Sequence, residues 1–279
     1  MTDAPARRTT RVVLARDVPS FDAAALAPET RDALSELLLT LADDEFVQGF
    51  LDSEWTGIAP MLEEDVAFSS LAQDEIGHAR VFYELRAALS GEDPDETAFG
   101  RPVDAYRHCR LLDHPRTDWA FSIVRRYLYD TADAVRLVAL ADSSFRPLAD
   151  VVAKVRREET YHLMHLDAWV RRLADRGGEA RDRLEEALAI LWPDALSMFA
   201  PLNGEETLIR ERILAESMAK LAARQTERLK AVLGRLGITL PATTPEIAGG
   251  RTRSGPSEGF RWLWGEFTSV HRLEAGATW

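Results

Sequence analysis

Cysteine is almost missing from this chain: Cys109 is the single one among 279 residues. That excludes an intramolecular disulfide framework and any zinc or iron–sulfur centre built on several thiolates. No apolar run approaches the ~18 residues that would span a bilayer. The opening MTDAPARRTTRVVLARD carries arginines but no apolar core of a secretory signal, so the cytoplasm is the expected compartment. Positive charge is in deficit, with 34 Lys+Arg against 46 Asp+Glu and a net charge of −12. Binding to a phosphate backbone needs clustered basic surface, so neither nucleic acid nor membrane is an expected partner. Segments with the two-residue period of strands are few. A phosphate loop, a nucleophile elbow and a Gly-rich dinucleotide fingerprint are all lacking.

What the chain does have is helical periodicity and, at 46% hydrophobic residues, enough apolar material for a core. Residues 1–27 carry prolines without a sustained period and read as an extended arm; residues 28–279 read as a single helical domain. Pro28 suits a first helical turn, and Leu34, Leu37, Leu38 and Leu41 follow at steps of mostly three or four. That helix is expected to reach about Trp55. A second runs from Pro60 to Ser90. Residues 91–116 hold three prolines and two glycines, and read as a crossover with a short helix inside. A third helix is expected over 117–142, with Thr117 as N-cap, and a fourth from about 147 to Arg176, ended by Gly177–Gly178. Two more follow, over 179–200 (kinked or split by Pro193) and 205–234. Residues 237–259 read as a loop, and the aromatic C-terminal piece shows no clear period. The class is all-α. Two long hairpins joined by a long connector describe a ferritin-like four-helix bundle with one crossover, extended by additional C-terminal helices.

Chemistry enters through two matched motifs. The second helix carries Glu75-Ile-Gly-His78 and the fourth Glu159-Thr-Tyr-His162, each Glu and His three residues apart and so on one helix face. Both pairs sit inside apolar stripes: Leu71, Phe82 and Leu85 on one helix, Val152, Val155, Leu166 and Trp169 on the other. Ionisable groups facing a dry core need compensation, and a bound cation supplies it. In antiparallel hairpins Glu45 falls at the height of Glu75, and Asp130 at the height of Glu159. Glu45, Glu75, His78, Asp130, Glu159 and His162 therefore form a candidate ligand set for two metal ions. Oxygen and imidazole donors suit a di-iron centre, with manganese second. Asp133 rivals Asp130, and Asp52 or Glu54 rivals Glu45. Asp43, Asp44, Asp74 and Glu158 show how readily an acidic chain supplies such candidates. Arg126 and Arg157 offer another answer, neutralising core carboxylates without metal. The Lys220, Arg224, Arg228, Lys230 run reads as a solvated face that an anionic cofactor tail could also use, and Trp262, Trp264 and Trp279 as core or interface anchors.

The chain resembles the C-type family of bacterial phenylacetyl-CoA 1,2-epoxidase (ring 1,2-monooxygenase) subunits, ferritin-like proteins of phenylacetate catabolism. The resemblance rests on Ser53-Glu54-Trp55, on Asp74-Glu75-Ile76-Gly77-His78-Ala79-Arg80, on Arg126-Tyr127-Leu128-Tyr129-Asp130, on Glu158-Glu159-Thr160-Tyr161-His162-Leu163, and on a tail ending in tryptophan. It covers roughly residues 35–279. It implies an oligomeric complex with a homologous ferritin-like A-type partner, which holds the di-iron centre and binds phenylacetyl-CoA, and with a reductase fed by NADPH. The C-type chain is then a structural partner, its own metal set typically degraded. This sequence departs from that picture by keeping both Glu-x-x-His pairs. The alternative is a self-sufficient di-iron oxidase or oxygenase of the same fold.

Overall fold

A computed structural model of the chain describes residues 21–242, 253 and 256–273. Helix α1 (Pro28–Ser53) begins on its proline, and α2 (Leu62–Ser90) ends on Gly91 at φ +75°, a left-handed cap that suits glycine. The two form the first antiparallel hairpin. Helices α3 (Trp119–Leu140) and α4 (Arg146–Arg176) form the second. Between the hairpins, residues 91–118 cross over with three short helical turns, Glu96–Gly100, Val103–Ala105 and Arg110–Asp113. The expected four-helix bundle with one crossover is what forms, and no strand occurs among the described residues.

Further helices enclose the bundle. Helix α5 (Gly178–Ala195) lies along α3 and α4, α6 (Glu205–Arg210) against α1, and α7 (Met218–Arg235) against α3. Near the C-terminus, α8 (Glu258–Phe267) and α9 (Ser269–Leu273) pack beside the crossover. As a result α1 is buried without interruption over residues 37–49, and α3 over 120–133. A helix covered on all sides cannot send its polar residues to solvent, so each must find a partner inside. The successive acids 43–45 do so in three directions. Asp43 accepts from Tyr83 (2.6 Å) and pairs with Arg101 of the crossover. Asp44 accepts from Arg136 of α3 (2.5 Å) and from Arg253 (2.8 Å). Glu45 points to the bundle centre.

Several boundaries differ from the sequence reading. Asp118, not Thr117, caps α3, its Oδ1 accepting from the Phe121 amide at 2.8 Å. The segment expected as one helix over 205–234 is two. Its break holds Arg212 at φ +57°, buries Ile213 and Leu214 in the core, and ends at the Ser217 cap of α7. Pro193 lies within α5, which gives way two residues later to a 3-10 turn over Leu196–Phe199. The aromatic tail, without a clear period in sequence, is helical behind a Ser257 cap. Of the expected extended arm only residues 21–27 are described: Phe21 packs edge-on against Phe145 at 4.8 Å, and Ala23–Ala25 make a 3-10 turn. The rest of the arm, most of the 237–259 loop and Trp279 lie outside the described residues. Trp264 is an anchor, donating its Nε1–H to the Arg101 carbonyl (3.2 Å), whereas Trp262 is 57% exposed.

Two glycines test the hairpin packing. A Cβ at Gly49 would lie 2.9 Å from the Ile76 side chain and 3.1 Å from the Ala72 carbonyl, while one at Gly77 meets nothing within 4 Å. Gly49→Val is expected to cost ~1–3 kcal/mol by overpacking the α1–α2 seam. Gly77→Ala should raise stability by ~0.5–1 kcal/mol. Urea unfolding midpoints of the two variants check both signs.

Candidate metal centre

All six predicted ligands are buried, none more than 4% exposed. They gather at one level of the bundle as two overlapping groups, Glu45, Glu75, His78 and Glu159, and Asp130, Glu159 and His162. In each group the ligand atoms lie within 4.8 Å of one another. Helices α2 and α4 each supply a Glu and a His from one face, α1 supplies Glu45 and α3 supplies Asp130.

The two histidines are held alike. His78 donates Nε2–H to Glu158 on α4 (2.8 Å), and its Nδ1 faces Glu45 Oε2 at 3.4 Å and Glu159 Oε1 at 3.5 Å. His162 places Nε2 against Asp74 on α2 (3.2 Å), and its Nδ1 faces Glu159 at 3.0 Å and Glu75 at 3.2 Å. In each case an outer carboxylate fixes the ring and the inner nitrogen turns to the cluster, the support that metal-ligating histidines commonly receive. Asp74 and Glu158, which look accidental in sequence, therefore each orient one of the two histidines. The signal that marks them is positional: each directly precedes its motif glutamate, and each serves the histidine of the opposite helix.

The largest difference between the halves is one residue. Arg126, four positions before Asp130 and fully buried, reaches into the second group. Its guanidinium pairs with Asp52 and Glu75, lies 2.7 Å from Asp130, and places one nitrogen 3.0 Å from His162 Nδ1. Four positions before Glu45 stands Leu41, also buried. Of the two arginines that could act as internal counter-ions, Arg126 takes that role; Arg157 is exposed. The rivals have other partners: Asp52 binds Arg126 and Gln48, Asp133 binds Arg136, and neither they nor Glu54 stands in either group of clustered ligand atoms among the described residues. His165 is peripheral, on Glu64, and the basic run of α7 is a solvated face.

Electrostatics differ from acid to acid: burial pushes the Asp130 carboxyl well above its usual range, although the Arg126 guanidinium beside it pulls the other way. Burial opposes ionisation of Glu75, but the Arg126 guanidinium beside it overcomes this and holds the carboxyl well below its usual range. Burial and then the Glu75 charge push Glu45 well above it. Burial also disfavours a charged His162, yet hydrogen bonds to Glu159 and Glu75 prevail and raise it to about 11. The imidazolium then donates Nδ1–H to Glu159, and the Arg126 contact is an approach of two cations rather than a hydrogen bond.

These donors fit one metal ion better than two. In the first group both Glu45 oxygens, Glu75 Oε2, Glu159 Oε2 and His78 Nδ1 are buried without a hydrogen-bond donor. Because His78 spends its proton on Glu158, its neutral form aims a lone pair at two carboxylates, an arrangement that only a cation or a proton relieves. In the second group a guanidinium and an imidazolium already supply the positive charge.

The architecture and the inward carboxylate–imidazole set define a helical-bundle protein of the ferritin-like class. The chain belongs to the phenylacetic acid catabolic protein family, whose profile matches residues 20–279. It is similar to the C subunit of the 1,2-phenylacetyl-CoA epoxidase of Escherichia coli (strain K12), 30% identical over 195 residues, 70% of this chain and 79% of that one. It is also similar to the A subunit of the same enzyme, 27% identical over 161 residues, 57% of this chain and 52% of that one. No helix among the described residues is long and apolar enough to cross a membrane.

Arg126→Leu strands Asp52, Glu75 and Asp130 without their cation and is expected to cost ~3–5 kcal/mol in urea unfolding. The raised His162 implies a second outcome. Its folded-state proton affinity exceeds the unfolded one, so its contribution is complete below about pH 6.5 and lost as pH rises through about 11. Chelator-treated protein should lose up to ~1.4 kcal/mol per pH unit between about pH 7.5 and 9.5. His162→Gln should flatten that slope.

Proposed function

We propose that this chain is the C-type subunit of a phenylacetyl-CoA epoxidase complex, acting in the breakdown of phenylacetate. In this reading it docks to a homologous ferritin-like A-type subunit that holds the di-iron centre and the thioester substrate. A reductase passes electrons to that partner, and this chain supports the assembly in the cytoplasm. The observation that carries it is Arg126: a guanidinium tied to three carboxylates occupies the half of the bundle where a dinuclear oxygenase needs a second iron. The relatives agree, since the match to the C subunit of the Escherichia coli enzyme spans 79% of that protein and the match to its A subunit 52%.

The alternative, a self-sufficient di-iron oxidase, draws on the retained Glu75/His78 and Glu159/His162 pairs. Two iron ions would require Arg126 to leave a pocket where Asp52, Glu75 and Asp130 all hold it, and the buried acids would then lose their fixed cation.

Co-expression with the A-type chain from the same source separates the two readings. The subunits are expected to elute together in gel filtration, with phenylacetyl-CoA consumed only when the A-type chain and reductase are present. Oxygenation of phenylacetyl-CoA by this chain alone, given iron and reductant, would overturn the assignment.

A further inference from the structure

The bundle centre is a pseudo-symmetric pair of half-sites, one related to the other by exchanging α1 with α3 and α2 with α4. Glu45 answers to Asp130, the Glu75/His78 pair to Glu159/His162, and the Glu158–His78 contact to Asp74–His162. The relation breaks most sharply where α3 carries Arg126 and α1 carries Leu41. We propose that this asymmetry makes the site a one-metal centre. A single divalent first-row cation binds Glu45, Glu75, Glu159 and His78 Nδ1, and the Arg126 guanidinium serves as the fixed cation of the other half.

Three independent features support this. The donor atoms of the first half are buried and unpartnered, Glu45 at both oxygens and 0% exposed; the Asp130 oxygens of the other half also lack a hydrogen-bond donor, but there the Arg126 guanidinium stands 2.7 Å from one of them. Three carboxylates and one imidazole, with no thiolate, form a donor set suited to iron(II), manganese(II) or zinc(II). There is also a route of entry. Gln73, Asp74, Gly77, His78, Val81 and Glu158 line a groove of about 240 Å³ between α2 and α4, so His78 stands between solvent and the carboxylates. In the other half His162 Nδ1 faces a guanidinium nitrogen at 3.0 Å and has no free approach for a metal. The ion and the guanidinium would share Glu75: Arg126 takes Oε1, and Oε2 remains for the metal.

The test uses the full chain, stripped with chelator and re-equilibrated with manganese(II) chloride alone. Elemental analysis should find one manganese per chain, with the six-line electron paramagnetic resonance spectrum of an uncoupled ion. His78→Gln and Glu45→Gln should each weaken binding at least about tenfold, while His162→Gln, which removes a histidine from the other half, should keep the ion. Glu45→Gln mimics the protonated acid and preserves shape, and circular dichroism of the stripped variants confirms that each is folded. Two manganese ions per chain with exchange coupling, no manganese in the wild-type chain, or equal loss in His162→Gln would overturn the proposal. The inference deepens the site and not the partnership: metal content is read on the isolated chain, whereas docking is read on stripped protein with the A-type partner.

Discussion

Charge compensation in a dry interior governs this molecule. Asp43, Asp44, Glu45, Asp52, Glu64, Glu75, Asp113, Asp130, Asp133 and Glu159 are buried among the described residues, with only Arg125, Arg126, Arg136 and Arg253 as buried arginines. A bare carboxylate in such surroundings is costly, so positive charge decides where each acid can sit. Arg126 answers to three carboxylates at once, and Arg136 holds Asp44 and Asp133 together. Glu64, Asp113 and Glu159 pair with histidines instead, and Glu45, with no arginine in reach, has only the His78 Nδ1 at 3.4 Å.

That imbalance follows from enclosure. In a simple four-helix bundle each helix has a wet face, but here the crossover, α5, α7 and the C-terminal helices leave α1 and α3 no such face along their middle turns. The polar residues of those turns become internal, and the two helices meet the demand differently. Helix α3 brings its own cations, Arg126 and Arg136, while α1 brings carboxylates and relies on its neighbours. A chemically lopsided centre inside a nearly symmetric fold is the outcome.

Much of this is legible in the sequence. The Glu-x-x-His spacing, the stripe around each pair and the equal distances of Glu45 and Glu75 from their turn place the six residues at one level. Long helices with apolar stripes also disclose the bundle and its crossover. Less legible is what depends on distant chain. Arg126 reads in sequence as a candidate internal counter-ion on equal terms with Arg157, and only packing shows that Arg126 points inward, with Asp52, Glu75 and Asp130 around it, while Arg157 faces solvent. Asp74 and Glu158 each act on the helix opposite, a relation that local spacing does not encode. The break at 211–217 is hidden because Ile213 and Leu214 continue an apolar pattern, while the turn itself depends on Arg212 adopting a positive φ.

The Asp44–Arg253 contact carries a consequence for the order of folding. It joins positions 209 residues apart, and the same guanidinium reaches the Arg107 and Met198 carbonyls. Asp44 is flanked on α1 by Asp43 and Glu45, so the first hairpin concentrates negative charge near its middle before the rest of the chain exists. On the ribosome that hairpin emerges well before Arg253, so this acid gains its second arginine late. The charge balance inside the hairpin is therefore complete only once Arg253 reaches Asp44.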